Sequence, residues 1–147
     1  MPRHLYVTPE IAEILDHPNA LRRFSRVETN LKIANFLLGR QMTVSRENRN
    51  WEKNAEPDFV KLVGHDEIWE LCFREPRPGW RLFGRFLEAG VFVGLELHAR
   101  EEVDHGKVAS YIIATWNEKF PGIDPVSSND LVDYLSGVWR DVDGEDG

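Results

Sequence analysis

The chain has 147 residues, 41% of them hydrophobic and 29% charged, with a formal net charge of −7. This supports one compact domain with its own core and excludes a disordered chain, a collagen-like chain and a simple nucleic-acid coat, since neutralising phosphate needs an excess of Lys and Arg. The single Cys72 excludes an internal disulfide, no apolar run is long enough to span a bilayer, and no secretory segment follows Met1, so a reducing, cytoplasmic setting is expected.

Residues 4–7 read as a short strand. Thr8-Pro9-Glu10 then opens a helix, because Thr caps, Pro suits the first turn and Glu favours the positive end of the dipole; Ile11, Ile14 and Leu15 are expected to face inward. Pro18 interrupts. A second helical pattern follows in which Leu21, Phe24, Val27, Leu31, Ala34, Leu37 and Leu38 recur at three- and four-residue steps, with Gly39 as its stop. Residues 40–57 are polar around Trp51 and read as a long exposed connection or a frayed helix end.

Alternation begins at residues 58–63. It continues through 68–74, where Trp69, Leu71 and Phe73 oppose Glu70, Cys72 and Arg74, and through 80–87, where Trp80, Leu82 and Phe86 alternate with Arg81, Phe83 and Arg85. In 91–100 the residues Val91, Val93, Leu95 and Leu97 oppose Phe92, Glu96, His98 and Arg100. Pro76, Pro78 and Gly79, then Glu88-Ala89-Gly90, are turn chemistry, so an antiparallel meander is expected. Residues 108–120 resume helical spacing through Val108, Ile112, Ala114, Trp116 and Phe120. Ser127-Ser128-Asn129-Asp130 looks like a cap for a last short helix holding Leu131, Tyr134, Leu135 and Val138. Residues 101–147 carry three basic and eleven acidic side chains, and 140–147 read as a solvated acidic tail.

The expected architecture is thus a single α+β domain over residues 1–139. An antiparallel four- to five-stranded meander packs on an N-terminal helical pair, with C-terminal helices over 121–139. One sheet face is apolar. The other displays Glu70, Arg74, Arg81, Arg85, Glu96, His98 and Arg100, either as an anion site or as a solvated surface of weak cross-strand ion pairs. The scattered His4, His17, His65 and His105 lack metal-ligand spacing, so neither a metal nor another cofactor is expected. Trp69, Trp80 and Trp116 fit core positions, and Trp51 and Trp139 are read as packing an extension over the domain rather than stacking on a base.

Lys61-Leu62 followed by Gly64, then Ile68-Trp69-Glu70-Leu71, Arg74, Trp80-Arg81-Leu82-Phe83 and a final apolar strand and helix form a familiar order. Over residues 58–120 it resembles the RelE/ParE toxin superfamily, nearest its HigB-like, phage-derived branch. The resemblance implies a RelE-like two-layer fold and a toxin of a type II toxin-antitoxin pair acting as a metal-independent endoribonuclease on mRNA. The partners it implies are an antitoxin encoded by an adjacent gene, mRNA and the ribosome, without membrane or direct DNA contact. Arg74 and Arg81 match the family's sheet arginines by position, and strand alternation adds Arg85, His98 and Arg100 to their face. On that reading Arg74, Arg81, His98 and Glu70 are catalytic, while Arg85, Arg100 and Trp80 hold RNA.

Two departures separate the chain from that pattern: Glu101-Glu102 stands where the family usually places two lysines, and Cys72 where it places an arginine. They motivate an alternative, a catalytically inactive toxin-like binding or regulatory module of phage or mobile-element origin. A third reading is a small-molecule enzyme using His98 and Glu96, unsupported by any nucleophile motif, metal set or phosphate loop.

Overall fold

A computed structural model of the chain describes residues 3–17, 24–46 and 56–142. The elements are β1 (His4–Val7), α1 (Pro9–Asp16), α2 (Arg26–Leu37), β2 (Met42–Ser45), β3 (Phe59–Lys61), β4 (Trp69–Phe73), β5 (Trp80–Glu88), β6 (Val91–Ala99), α3 (His105–Lys119) and β7 (Trp139–Asp141). Each helix starts on a side-chain cap: Thr8 accepts from the Ile11 amide, Ser25 from that of Glu28 and Asp104 from that of Lys107, each at 3.2 Å.

The strands form one seven-stranded sheet in the order β1-β6-β5-β4-β3-β2-β7. β3 through β6 pair antiparallel, whereas β1 joins β6, and β2 joins both β3 and β7, in parallel. Because the side chains of Leu82 and Phe83 point to opposite faces, the two apolar clusters they belong to lie on opposite sides of the sheet. On the first face Trp69, Leu71, Leu82, Phe86 and Phe92 meet Ile11 of α1, Phe36 of α2 and the later Tyr134 and Leu135. On the second, Phe83, Val93 and Leu95 meet Val108, Ile112 and Trp116 of α3.

This corrects the expected architecture. The sheet is neither four- to five-stranded nor wholly antiparallel, and it does not rest on an N-terminal helical pair as a RelE-like two-layer fold: it is mixed, curled into a half-barrel, and carries helices on both faces. The cause lies in β5 and β6, whose neighbouring residues bury in both directions and so demand cover on each side. The exposed connection expected over 40–57 contains β2, whose Met42 and Val44 are core residues; residues 47–55, with Trp51, lie outside the described residues.

α2 also differs from its reading. Phe36 and Thr29 face the core and Ile33 packs against it, while Val27, Leu31, Leu37 and Leu38 point outward, Val27 being 74% exposed. The cap at Ser25 starts the helix within the expected pattern; Leu21 lies outside the described residues. The last expected helix is only a single 3-10 turn over Leu131–Asp133, since the stretch before Gly137 (φ +87°) is too short to offset the cost of helix nucleation and instead sends Tyr134 and Leu135 into the core. β7 follows and extends the sheet as far as Asp141; residues 143–147 lie outside the described residues.

Candidate functional site

α3 covers only part of the second face. Its apolar side seals Phe83, Val93 and Leu95, and beyond them the same face continues as a polar patch. The register builds that patch: Cys72 on β4, Arg81 on β5 and His98 on β6 lie side by side, next to the row Glu70, Phe83 and Glu96. Arg74 follows β4 and Arg100 follows β6. Of the residues expected to act together, the fold therefore gathers Glu70, Arg74, Arg81, His98 and Arg100.

Two expected members are elsewhere. Trp80 shares the parity of Leu82 and so belongs to the first face, where it meets Phe24 edge-on with ring centroids 6.3 Å apart. Arg85 is on the second face but under α3: its Nε and Nη2 donate to the Asp66 carbonyl at 3.2 and 2.7 Å, and its guanidinium lies 5.7 Å from the centre of the Trp116 ring. It clamps the 63–67 loop and α3 onto β5 and has no open face for a phosphate.

Within the patch the guanidiniums are held to different degrees. Arg81 is only 5% exposed, and its Nη1 donates to the carbonyls of Pro78 and Trp80 at 3.0 Å each. Arg74 donates to the Pro57 carbonyl at 2.6 Å and pairs with Glu56 at 3.4 Å, while Arg77 binds the same carboxylate bidentately at 2.6 and 2.9 Å. The Arg77 hydrogen bond holds the Glu56 carboxyl below the usual carboxylate range, so Glu56 stays ionised and is committed to those two arginines. Arg100 is exposed at the start of the 3-10 turn Arg100–Glu102, its amide bonded to the Gly79 carbonyl at 3.0 Å.

Glu70 is the unusual member. It is 9% exposed, with the weak Cys72 thiol 3.9 Å from Oε1 and no hydrogen-bond partner for Oε2 among the described residues. Burial raises its pKa, and it does so against the pull of Arg81, Arg100 and Arg74, in that order. Cys72 is fully buried; burial first, then the Glu70 charge, pushes its thiol up to about 11, which makes it inert rather than nucleophilic. His98 Nε2 lies 3.5 Å from Glu96 Oε1, too far or too poorly aligned to count as a hydrogen bond, and has no other partner among the described residues. His105, in the first turn of α3, contacts Phe83 edge-on, and burial first, then Arg100, lowers its pKa.

Chemically, the patch sets two held guanidiniums, Arg74 and Arg81, and an exposed one, Arg100, around a carboxyl whose burial favours its neutral form. Such an arrangement has room for external negative charge. Among the described residues no group of histidine, cysteine and carboxylate side chains could hold a metal ion, and no helix is long and apolar enough to cross a membrane.

The sequence pattern also left two polar hubs unmarked. Arg3 is buried and donates to the carbonyls of Ser136 at 2.6 Å, Arg40 at 2.8 Å, Val138 at 2.9 Å and Phe36 at 3.3 Å. Glu67, at φ +50°, accepts from the Tyr134 hydroxyl, from Ser127 at 2.9 Å and from Lys61 at 3.3 Å. Neither residue sits in a periodic pattern, so the only available signal was the isolation of a charge beside β-forming residues. The Glu67 hub borders a hollow of about 390 Å³, also lined by Arg46, Lys61 and His65, but Arg46 is paired with Asp141 and Lys61 with Glu67, so its cations already have counter-charges.

No family model matches the chain, and no curated protein or solved structure matches it either. The likeness to RelE/ParE toxins therefore rests on the residue pattern alone. Fold and site together define a mixed α/β domain with a cation-walled polar patch beside its third helix.

Proposed function

We propose that this chain is a binding protein that takes a compact anionic group, a carboxylate or an oxyanion, on the polar part of the second sheet face, with Arg100, Arg81 and His98 around the ligand. The observation that supports this reading most is the gathering of guanidiniums on one side of a buried carboxyl: Arg74, Arg81 and Arg100 lie around Glu70, whose burial favours the uncharged form, and Arg74 shares Glu56 with Arg77. A compact ligand suits the patch better than a polyanion. The net charge of −7 and the exposed Glu101 and Glu102 beside Arg100 repel an extended phosphate backbone. Titration of the full chain with sulfate, acetate and a single-stranded RNA oligomer tests the reading. Sulfate or acetate binding that Arg100→Ala weakens at least about fivefold supports it, since a charge-assisted contact of about 1 kcal/mol or more is removed; no binding, or binding indifferent to Arg100, contradicts it.

A second reading, the endoribonuclease of a toxin-antitoxin pair, is favoured by one observation. Arg81 and His98 are paired across β5 and β6 with Glu70 one row away, so a guanidinium, an imidazole and a carboxyl share one patch. Its test is cleavage of labelled mRNA, with and without ribosomes, together with growth on induced expression in the presence and absence of the adjacent gene. Cleavage lost in His98→Ala selects this reading; intact RNA and unaffected growth leave the binding role.

A further inference from the structure

Simple anion binding leaves one feature of the patch without a purpose, a carboxyl buried among guanidiniums. On β5 the residue opposite Glu70 is Phe83 and on β3 it is Val60, so neither neighbouring strand places a counter-ion directly across from it, and Arg81 on β5 stands on the diagonal. Along its own strand the nearest residue on the same face is Cys72, whose thiol remains neutral. Its charge partners are Arg81 and Arg100, the two arginines proposed to face the ligand, and Arg74.

We infer that Glu70 is an internal competitor for the anion: ionised, it supplies the counter-charge of Arg81 and Arg100 and weakens the ligand's hold, and protonated, it leaves both to the ligand. The inference rests on the anion-binding reading above and adds its regulation. Contact between Glu70 and the ligand is not needed, because two negative groups in a partly desolvated patch compete for the shared guanidiniums and repel each other. Burial tips the balance, since it holds the proton on Glu70 at pH values where an exposed glutamate has lost it. The coupling is reciprocal: an anion bound at Arg81 and Arg100 offsets their pull on Glu70 and so tightens its hold on the proton.

The other charged and titratable groups facing this point are Arg74 after β4, Glu96, His98 and Arg100 on and after β6, His105 on α3, and Glu56 and Asp58 before β3. Asp58 is paired with Lys32 at 2.8 Å and Glu56 with Arg74 and Arg77, so the histidines are the groups whose titration has to be separated from that of Glu70.

Sulfate is the probe, because its charge does not change over the range used. The full chain is titrated with sulfate between about pH 4 and about pH 8.5, as wild type, Glu70→Gln and His98→Gln. The expected result is a fall in wild-type affinity of about tenfold as pH rises, a typical coupling between two charges at one site. Glu70→Gln is expected to lose most of that fall, keeping only the share of the histidine beside the ligand, and His98→Gln to keep the larger share. A fall undiminished in Glu70→Gln, or one that disappears in His98→Gln, overturns the competitor role while leaving anion binding intact. Absence of sulfate binding at every pH contradicts the anion-binding reading itself. Should Glu70→Gln fail to fold, a carbon-13 titration of the wild-type Glu70 carboxyl replaces it: sulfate is expected to raise its midpoint, and an unmoved midpoint overturns the inference.

Discussion

Glu70 is a buried carboxyl whose titration bears on the stability of the fold. Its proton is bound more tightly in the folded chain than in the unfolded one, so the stability this preference supplies is complete at acid pH and is lost as pH rises through the folded-state value. Wild type is therefore expected to lose stability toward alkaline pH relative to Glu70→Gln, with the two converging at acid pH, as read by denaturant midpoints at several pH values; parallel profiles contradict it. Cys72 offers a second check. A fully buried thiol pushed up to about 11 reacts with an alkylating agent only on unfolding, so modification at neutral pH is expected to follow the unfolding transition rather than precede it. Arg85, tied to Asp66 and lying over Trp116, acts in packing: Arg85→Ala is expected to cost about 2–4 kcal/mol in denaturant unfolding, because it removes two charge-assisted bonds and the guanidinium's attraction to the indole ring under α3.

The elements show why part of the molecule was legible and part was not. β4 and β5 alternate strictly enough that Glu70, Cys72 and Arg81 could be placed on one face from spacing alone, and the same parity argues against grouping Trp80 with them; β6 breaks step at its register shift, so Val93 and Leu95, expected opposite Glu96 and His98, share their face. What alternation could not reveal is that α3 would cover the Phe83 and Arg85 end of that face and leave only the other end open. β2 and β7 were illegible for a different reason. Each is short and paired in parallel with strands distant in sequence, so the signal that creates them is tertiary rather than local. The apolar stripe of α2 misled because a helix packs the side that its neighbours can accept, here Thr29, Ile33 and Phe36. The β5–β6 pair also depends on missing side chains. Gly84 faces Gly94 at a register shift, and a Cβ on Gly84 falls 1.8 Å from the Val93 carbonyl oxygen, so Gly84→Ala is expected to cost at least about 3 kcal/mol by forcing the two backbones apart. An unchanged denaturation midpoint contradicts that packing.

Taken as a whole, the domain is closed by an arginine near its beginning. Arg3 gathers the carbonyls of Phe36 and Arg40 around the end of α2 with those of Ser136 and Val138 before β7, holding together chain segments far apart in sequence through one side chain. Arg3→Ala takes the side-chain donor from the Ser136 and Arg40 carbonyls, while those of Phe36 and Val138 keep the Gly39 and Met42 amides, and it is expected to cost about 2–4 kcal/mol, with Arg3→Lys recovering only part because an ammonium cannot fork to several carbonyls. With that clamp in place the curled sheet presents one polar patch beside α3, and the central claim is that this patch receives an anion. The most direct test is a nitrogen-15 chemical-shift map of the full chain during a sulfate titration. The account predicts saturable shifts at Arg81, His98 and Arg100, with the Arg46, Lys61 and His65 hollow unchanged. Shifts confined to that hollow, or none at all, contradict it.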